Sequence, residues 1–464
     1  MSRSALCVLA ASTLLLAQNS TVIRIDVNLV QVDAVVTDSR NKHVSNLKVE
    51  DFEILQDGKP QKITNFSYIT AAATPAPRNS VSMTAVPVTD KRATVAAPPP
   101  PPAPLKPADV RRMIALVVDD LGLSFASIAH VHESLRKFVN QEMQPGDMVA
   151  IIRTSAGMGV LQQFTTDRAV LNAAIDRVKF TIGRVGVNSF DVADDAASPS
   201  PANLQAAADA AIGLARDELF LVGTLGALRY VIDGLHDMPG RKSVILFSES
   251  LPLAGPGMRR LTDAANRASV VINTIDPRGL QVFGANAADG VSFNPTPRRG
   301  NPSAAASLAA LRDSEMIESQ QGLGLLAQGT GGLFIKDNNR IDEALNDVVA
   351  DTEGYYLIGY HPDSATFDSK TRELPYHKVQ VRLKIAGLHV RSRSGFFGET
   401  NAVRDVPRTG LAALLYALTS PFSSADVHVQ LTTLFNQTPD RQSVLSALLH
   451  IDARSQVHRA AGWL

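Results

Sequence analysis

The sequence is poor in cysteine, since Cys7 is the only one and lies in the extreme N-terminal segment. A chain processed beyond that segment forms no internal disulfide and no cysteine-based zinc site. Its stability must therefore come from the packing of apolar side chains and from any hard metal ion that oxygen ligands hold.

The sequence also lacks net charge, because 45 lysine and arginine residues balance 45 aspartate and glutamate residues. No net field draws such a protein towards nucleic acid or anionic lipid, which argues against a nucleic-acid partner. No apolar stretch reaches the roughly 20 residues that a membrane-spanning helix needs. The sequence therefore predicts no membrane span.

The first residues have the pattern of a short secretory signal. Arg3 supplies the charged start, Leu6–Leu16 the apolar stretch and Ala17 a small residue for cleavage. We therefore expect residues 1–17 to be a signal peptide and the protein to be exported, to the periplasm or beyond the cell. The alternative is an apolar terminus without a targeting role.

The chain of 464 residues is long enough for roughly two to four domains, each with its own core. Residues 20–70 combine strand-like apolar runs with turn pairs at Asn41-Lys42 and Asp57-Gly58, which predicts an N-terminal β domain. Residues 71–108 are rich in alanine and proline and end near Pro98–Pro102. They predict a semi-stiff extended linker.

Residues 109–352 alternate buried strands with amphipathic helices, from the apolar run Met113–Val118 to the helix Ile341–Ala350. Strands this apolar, separated by helices, are typical of a parallel sheet covered on both faces. The predicted fold class is α/β, a doubly wound parallel sheet flanked by small β-sandwich-like regions. Thr181 to about Asn203 and Gly279 to about Ser307 are predicted surface insertions.

Two β regions follow this α/β domain. Residues 353–398 predict three strands, which we expect to pair with the N-terminal β domain because each β unit is small alone. Residues 399–464 predict a C-terminal β region that is incomplete, because it stops at Leu464 without closing strands. The three strands of the first region are Tyr355–Tyr360, Lys378–Ile385 and Val390–Phe397.

The candidate site lies where strands of the α/β domain end, since open α/β sheets bind ligands at those ends. Asp119, Asp120 and Ser124 follow the first strand, Thr224 begins a helix, and Glu249 follows a later strand between two serines. Carboxylates and hydroxyls without histidine or thiol suit a hard divalent ion, magnesium above all. The alternative is that Asp119, Asp120 and Thr224 only cap helices.

These residues resemble the metal-ion-dependent adhesion site of von Willebrand factor A domains. The chain as a whole resembles the bacterial VWFA-related proteins that are abundant in acidobacteria. Further segments that carry this resemblance are Val35-Val36-Thr37-Asp38, Asp51-Phe52, Asp57-Gly58-Lys59, Gly329-Thr330-Gly331-Gly332, Tyr355–Pro362 and Val390–Phe397.

The resemblance implies a ligand set for Mg²⁺ or another divalent cation. It assigns Asp120 and Ser124 to the first motif and Thr224 to the second loop, with Glu249 where the family usually has aspartate. Gly122 stands where the first motif has its middle serine, which removes a direct hydroxyl ligand. The longer Glu249 side chain must also reach the ion differently, so the adhesion site is degenerate.

The resemblance implies an exported protein-binding or adhesion module, not an enzyme, whose ion is completed by an acidic side chain of a protein or cell-surface ligand. One alternative is a metal-independent structural scaffold, and another is a hydrolase with Glu249 as general base. No nucleophile elbow leads into a helix, which argues against hydrolase chemistry. Gly329–Gly332 lacks the lysine and spacing of a nucleotide-binding loop and is interpreted as a turn.

Overall fold

The computed structural model of the protein describes residues 29–70, 110–155, 163–180, 223–236, 238, 240–251, 256–281, 302–363, 366, 375–397, 410–411, 428–437 and 443–452. The predicted signal peptide, Cys7, the predicted linker and the first predicted insertion lie outside these residues, as does most of the second insertion. No helix in these ranges combines the length and apolar character that crossing a bilayer requires.

The described residues form fifteen strands and six α-helices. The strands are β1 (Val30–Thr37), β2 (Phe52–Gln56), β3 (Lys59–Gln61), β4 (Ile63–Thr70), β5 (Arg112–Val118), β6 (Asp147–Arg153), β7 (Lys242–Phe247), β8 (Val270–Ile275), β9 (Phe334–Ile335), β10 (Gly354–Tyr360), β11 (Tyr376–Leu383), β12 (His389–Ser392), β13 (Gly395–Phe397), β14 (His428–Gln437) and β15 (Ser443–Asp452). The helices are α1 (Phe125–Lys137), α2 (Arg168–Ile175), α3 (residues 223–235), α4 (Pro256–Arg267), α5 (Pro302–Thr330) and α6 (Ile341–Ala350).

A parallel five-stranded sheet in the order β6-β5-β7-β8-β9 forms the centre of the α/β unit. Successive side chains of a strand face opposite sides, so Ile114 and Leu116 pack with α1, α2 and α6, while Ala115 packs with α3, α4 and α5. Both faces of the sheet are therefore covered by helices, and the predicted doubly wound α/β fold is confirmed.

Two antiparallel four-stranded sheets form a second unit, in the orders β12-β1-β10-β4 and β13-β11-β2-β3. Strand β1 pairs with β10, and β2 pairs with β11. Side chains of both sheets, including Val32, Ile54 and Val381, share one apolar core. Strands on either side of the α/β unit in sequence thus lie in the same sandwich, while the exact domain boundaries stay a prediction.

The tyrosines of β10 divide between the two faces of their strand. Tyr356 and Tyr360 are fully buried in the sandwich core, where the Tyr356 hydroxyl donates to the Val44 carbonyl (2.8 Å) and that of Tyr360 to the Gln56 side chain (3.0 Å). Tyr355 points the other way, against Arg241. Two of the three rings therefore pack in a β core, as expected of a sandwich strand.

The segment Val390–Phe397, predicted as one strand, is two strands in different sheets. Strands β12 and β13 are separated at Arg393 and Ser394, where the chain crosses from one sheet of the sandwich to the other. The Arg393 guanidinium donates to the Asn266 carbonyl at 2.9 Å, and the Ser394 N–H donates to the Gly329 carbonyl at 3.4 Å. The break therefore places the crossing against the α/β unit.

Helix α5 was not predicted, and it begins at Pro302, inside the stretch expected to be an insertion up to about Ser307. Its buried residues mix polar side chains such as Arg312, Ser319 and Gln320 with Leu323 and Leu326. A buried face of this mixed character leaves no clear apolar stripe, which is the signal that identifies a helix in sequence.

Helix α5 ends in the glycine-rich turn at Gly329–Gly332. Gly331 has a φ of 77°, and the N–H groups of Gly331 and Gly332 donate to the Gln328 and Ala327 carbonyls at 3.2 and 2.8 Å. This Schellman pattern satisfies carbonyls at the helix end. A Cβ on Gly332 would meet the Ile272 carbonyl oxygen at 2.1 Å, so the segment is a closely packed turn.

A buried ion pair joins the first residues of β5 and β6. The Arg112 guanidinium donates to both carboxylate oxygens of Asp147, at 2.8 and 2.5 Å, and the two side chains are 3% and 0% exposed. Asp147 also accepts the N–H of Gln144 at 2.9 Å. Removal of one partner leaves a buried charge without its counter-ion, which is more costly than loss of an exposed pair.

We predict that Asp147→Asn lowers the free energy of unfolding by about 3 kcal/mol, because Arg112 stays charged and buried. Asp176→Asn is the matched control, since Asp176 pairs with Arg136 on the surface, and it should leave stability unchanged. Urea unfolding of the full chain measures both. Equal midpoints for the two variants would contradict a stabilising role for the buried pair.

Candidate functional site

The carboxyl ends of β5, β6 and β7 meet at one edge of the parallel sheet, because neighbouring parallel strands end side by side. Polar residues follow all three strands directly. They are Asp119 and Asp120 after β5, Thr154 and Ser155 after β6, and Ser248 and Glu249 after β7. We call these six residues and Thr224 the edge cluster.

Asp119 lies at the centre of the edge cluster and is 2% exposed. Its Oδ1 accepts hydrogen bonds from the Thr154 and Thr224 hydroxyls, both at 3.0 Å. Its Oδ2 accepts one from the Ser248 hydroxyl at 2.7 Å. The loops after β6 and β7 and helix α3 therefore converge on Asp119, and the Thr224 hydroxyl donates to this residue.

Asp120 is fully buried and faces the end of β6. Its Oδ1 accepts the Ser155 N–H at 2.9 Å and lies 3.2 Å from the Thr154 hydroxyl, whose single proton it shares with Asp119, and its Oδ2 accepts the Ser155 hydroxyl. The Arg153 guanidinium lies 3.7 Å from Oδ2. Asp120 is thus partly neutralised by a cation of the neighbouring strand.

Ser124 and Glu249 contact each other through main chain and side chain. The Ser124 N–H donates to Glu249 Oε1 at 2.8 Å. The Ser124 hydroxyl accepts the Ser127 N–H at 3.3 Å and so caps α1. Ser124 is thus a helix N-cap, whereas the carboxylates of Asp119 and Asp120 accept hydrogen bonds from side chains of neighbouring loops.

Glu249 is fully buried, and its second carboxylate oxygen, Oε2, has no hydrogen-bond partner among the residues that the structure describes. Buried carboxylate oxygens normally have donors, because an unpaired one loses the hydration of the unfolded state. Oε2 is therefore the one buried oxygen of the described edge cluster that would gain most from a bound cation.

Arg278 holds the main chain beside Glu249. Its Nη2 donates to the Glu249 carbonyl at 2.5 Å and to Asp276 Oδ2 at 2.6 Å. The Leu251 N–H donates to the Ser319 carbonyl of α5 at 3.1 Å. The loop after β7 is therefore supported by the end of β8 and by α5.

Sequence reasoning did not assign Thr154, Ser155 or Arg278 to the site, and it placed Asp119 in the carboxylate pair of the candidate site without naming it as a ligand. The signal that identifies them is their position, since each lies within three residues of the end of a buried parallel strand. The four predicted ligands are not all brought together. Thr224 contacts Asp119, Ser124 contacts Glu249, and Asp120 lies beside Arg153.

Gly122 is required by the position of Asp119. A Cβ built on Gly122 would lie 2.5 Å from Asp119 Oδ2 and 3.0 Å from its carboxyl carbon. The missing serine of the first motif and the inward carboxylate of Asp119 are thus one structural feature. A side chain at position 122 and this orientation of Asp119 exclude each other.

The edge cluster offers oxygen ligands of the kind that hard cations prefer. Among the described residues, no group of three or more histidine, cysteine, aspartate or glutamate side chains is arranged to hold a metal ion. Magnesium accepts one or two carboxylates completed by hydroxyls and water. By residue type, the unpartnered Oε2 of Glu249 and the hydroxyls around Asp119 are donors of that kind.

No protein-family model and no curated protein sequence matches this chain. Among solved structures it is similar to an aerotolerance-related membrane protein from Bacteroides fragilis that carries multiple mutations to serine. The two sequences are 11% identical, the match covers 51% of this chain and 98% of that chain, and the TM-score is 0.28. It is also similar to the conserved hypothetical protein BatB from Bacteroides thetaiotaomicron, with 10% identity, coverage of 52% and 98%, and a TM-score of 0.28. Similarity at this level assigns neither a family nor a function.

We predict that Gly122→Ser lowers the free energy of unfolding by about 1–3 kcal/mol, because the new side chain displaces the buried Asp119 carboxylate from its hydroxyl donors. Gly223→Ala is the control, since its Cβ meets only Leu121 at an ordinary 3.5 Å. Urea unfolding compares the two variants. If the Gly122→Ser protein is as stable as wild type, the Asp119 carboxylate does not require a glycine at residue 122.

Proposed function

We propose that this protein is an exported, non-enzymatic binding module of the VWFA-related family, and that its edge cluster binds a partner through a divalent cation. The observation that carries the proposal is Glu249, whose buried Oε2 has no partner among the described residues, in the loop where the Ser248 hydroxyl donates to Asp119. A cation is the group that such an oxygen lacks.

The proposed ligands are Asp120, Ser124, Thr224 and Glu249, and Asp119 joins the set because the Thr224 hydroxyl donates to it. A hydroxyl that donates to Asp119 also carries lone pairs that a cation accepts. When bound, Mg²⁺ or a similar ion supplies the positive charge that attracts an acidic side chain of a partner. The protein's own residues position the ion and leave its outer side to that partner.

The localisation and partner class rest on the sequence. The signal-like pattern of residues 1–17 supports export, and the balance of charged residues supports a protein or cell-surface partner in preference to nucleic acid. These properties belong to the proposal together with the cation.

A metal-independent scaffold is the second candidate function, and one observation favours it. The Asp119 carboxylate already accepts three hydroxyl hydrogen bonds, and Asp120 accepts bonds from Ser155 and lies beside Arg153. Hydrogen bonds of this kind satisfy buried carboxylates without an ion. In this alternative the edge cluster joins three strand ends, and the β units make the contacts with partners.

Thermal unfolding of the full chain in chelator, and then with magnesium, calcium or manganese, distinguishes the two functions. We expect the wild type to gain about 2.7 kcal/mol at a metal concentration a hundred times the dissociation constant, because the ion binds only the folded state. The Asp119→Asn variant should show no metal-dependent increase in stability. The Asp176→Asn variant, which changes an exposed ion pair with Arg136, should keep that increase.

Asp120→Asn, measured in the same series, shows which aspartate is the ligand. Loss of the metal response in this variant alone would place the ion beside Asp120, as the resemblance implies. A wild-type protein that gains no stability from any of the three ions would overturn the cation proposal and favour the scaffold.

A further inference from the structure

Two phenylalanine rings are exposed beside the edge cluster. Phe125 is 72% exposed and Phe180 is 41% exposed. Their ring centroids lie 6.0 Å apart with the ring planes at 86°, which is the edge-to-face arrangement that aromatic rings favour. Single apolar side chains are common on protein surfaces, whereas two in contact form a small continuous apolar patch. We call Phe125 and Phe180 the aromatic pair.

The fold gives Phe125 no role in the core. Helix α1 buries its other face, through Ile128, Val131 and Leu135. Phe125 is the first residue of this helix, and Ala129, one turn further on the same face, is exposed as well. An aromatic ring gains stability by leaving water, and the Phe125 ring mostly stays in water. The folding of α1 therefore does not explain an aromatic side chain at residue 125.

The start of α1 joins the aromatic pair to the edge cluster. Phe125 directly follows Ser124, whose N–H donates to Glu249 Oε1 at 2.8 Å. Ser124 is also the N-cap of α1, so the first turn of the helix is attached to the loops of the candidate site. Phe125 is therefore the immediate chain neighbour of a residue that contacts Glu249.

A second connection runs through Arg153 at the end of β6. Its guanidinium lies 3.7 Å from Asp120 Oδ2 and also donates to the Arg177 carbonyl at 2.8 Å. Phe180 follows three residues after Arg177. The segment after α2 is thus held at the carboxyl end of the parallel sheet. Because both connections lead to that end, the aromatic pair and the edge cluster lie on the same side of the α/β unit.

The segment that leads to Phe180 is basic. Arg177 and Lys179 are exposed, and the acidic residue of this segment, Asp176, is already paired with Arg136. The Arg153 side chain is 24% exposed and adds a third cation beside them. Positive charge at the rim of a binding surface attracts a partner of opposite charge. The charges around the aromatic pair therefore favour an acidic partner.

We propose that the aromatic pair and the adjacent cations are the contact surface for a short acidic segment of a partner protein, in which a carboxylate and a large apolar side chain are close in sequence. The apolar side chain packs on Phe125 and Phe180, and the carboxylate faces the basic rim and the edge cluster. Aromatic rings suit this role because they bring large contact area with little conformational freedom to lose. This inference rests on the proposed function, since it specifies the partner that binds at the edge cluster.

An array of random-sequence decapeptides, probed with the full chain carrying a C-terminal epitope tag, tests the proposal in magnesium and in chelator. We expect the bound peptides to be enriched in aspartate or glutamate placed near phenylalanine, tyrosine, tryptophan or leucine. Bound peptides without that apolar residue, or no bound peptide in either buffer, would overturn the proposal.

The best-bound peptide is then labelled, and its affinity for variants is measured by fluorescence anisotropy. Phe125→Ala should weaken binding about tenfold, because it removes the more exposed ring of the pair. Phe180→Ala should act in the same direction and serves if Phe125→Ala does not fold. Leu325→Ala is the control, since Leu325 is a 47% exposed apolar residue of α5 outside the pair. Wild-type affinity in both phenylalanine variants would contradict the assigned surface.

The failure of this inference can be distinguished from failure of the cation proposal. If no ion stabilises the wild type but it still selects acidic, apolar peptides in chelator, the cation proposal fails and the aromatic surface stands. If an ion stabilises the wild type but both phenylalanine variants bind peptide as wild type does, the aromatic surface fails alone. Light scattering that shows a dimer of the wild type and a monomer of Phe125→Ala would assign the pair to self-association and also overturn the inference.

Discussion

The parallel sheet is buried on both faces, and this constraint determines where the polar residues of the α/β unit lie. Helices cover Ile114 and Leu116 on one side and Ala115 on the other, and the carboxylates of the edge cluster lie beyond the strand ends. There they are still largely buried, and a buried carboxylate is tolerated only when donors reach it. Asp119 and Asp120 therefore accept hydrogen bonds from neighbouring loops, and Glu249 Oε2 is the carboxylate oxygen of the cluster without a partner among the described residues.

The same requirement shapes the seam between the α/β unit and the sandwich. The Asn266 side chain donates to the carbonyls of Gly329 and Gly395, both at 3.1 Å, and the Arg391 guanidinium donates to the Gly331 carbonyl at 3.1 Å. Two segments that carry the resemblance to VWFA-related proteins, the glycine-rich turn and the Val390–Phe397 stretch, therefore meet here. Their common physical role is to join the two units.

The two ends of the sheet differ in charge. The edge cluster gathers carboxylates and hydroxyls at the carboxyl ends of the strands, whereas a cavity at the amino ends is lined by Arg111, Arg112 and Arg241. Helix α5 spans part of this distance, since it supports the loop after β7 through Ser319 and contacts the sandwich through its final turn.

The sequence by itself determined the fold class, because the continuous apolar run Met113–Val118 and the amphipathic helix Ile341–Ala350 are patterns of neighbouring residues. It also determined the edge at which the candidate site lies, since that edge follows from strand direction. Only the tertiary structure decided which aspartate accepts the Thr224 hydroxyl. Asp119 and Thr224 are 105 positions apart, and the sequence alone does not distinguish the carboxylate of Asp119 from that of Asp120. The break at Arg393 and the helix Pro302–Thr330 likewise depend on contacts with distant segments, which local periodicity does not record.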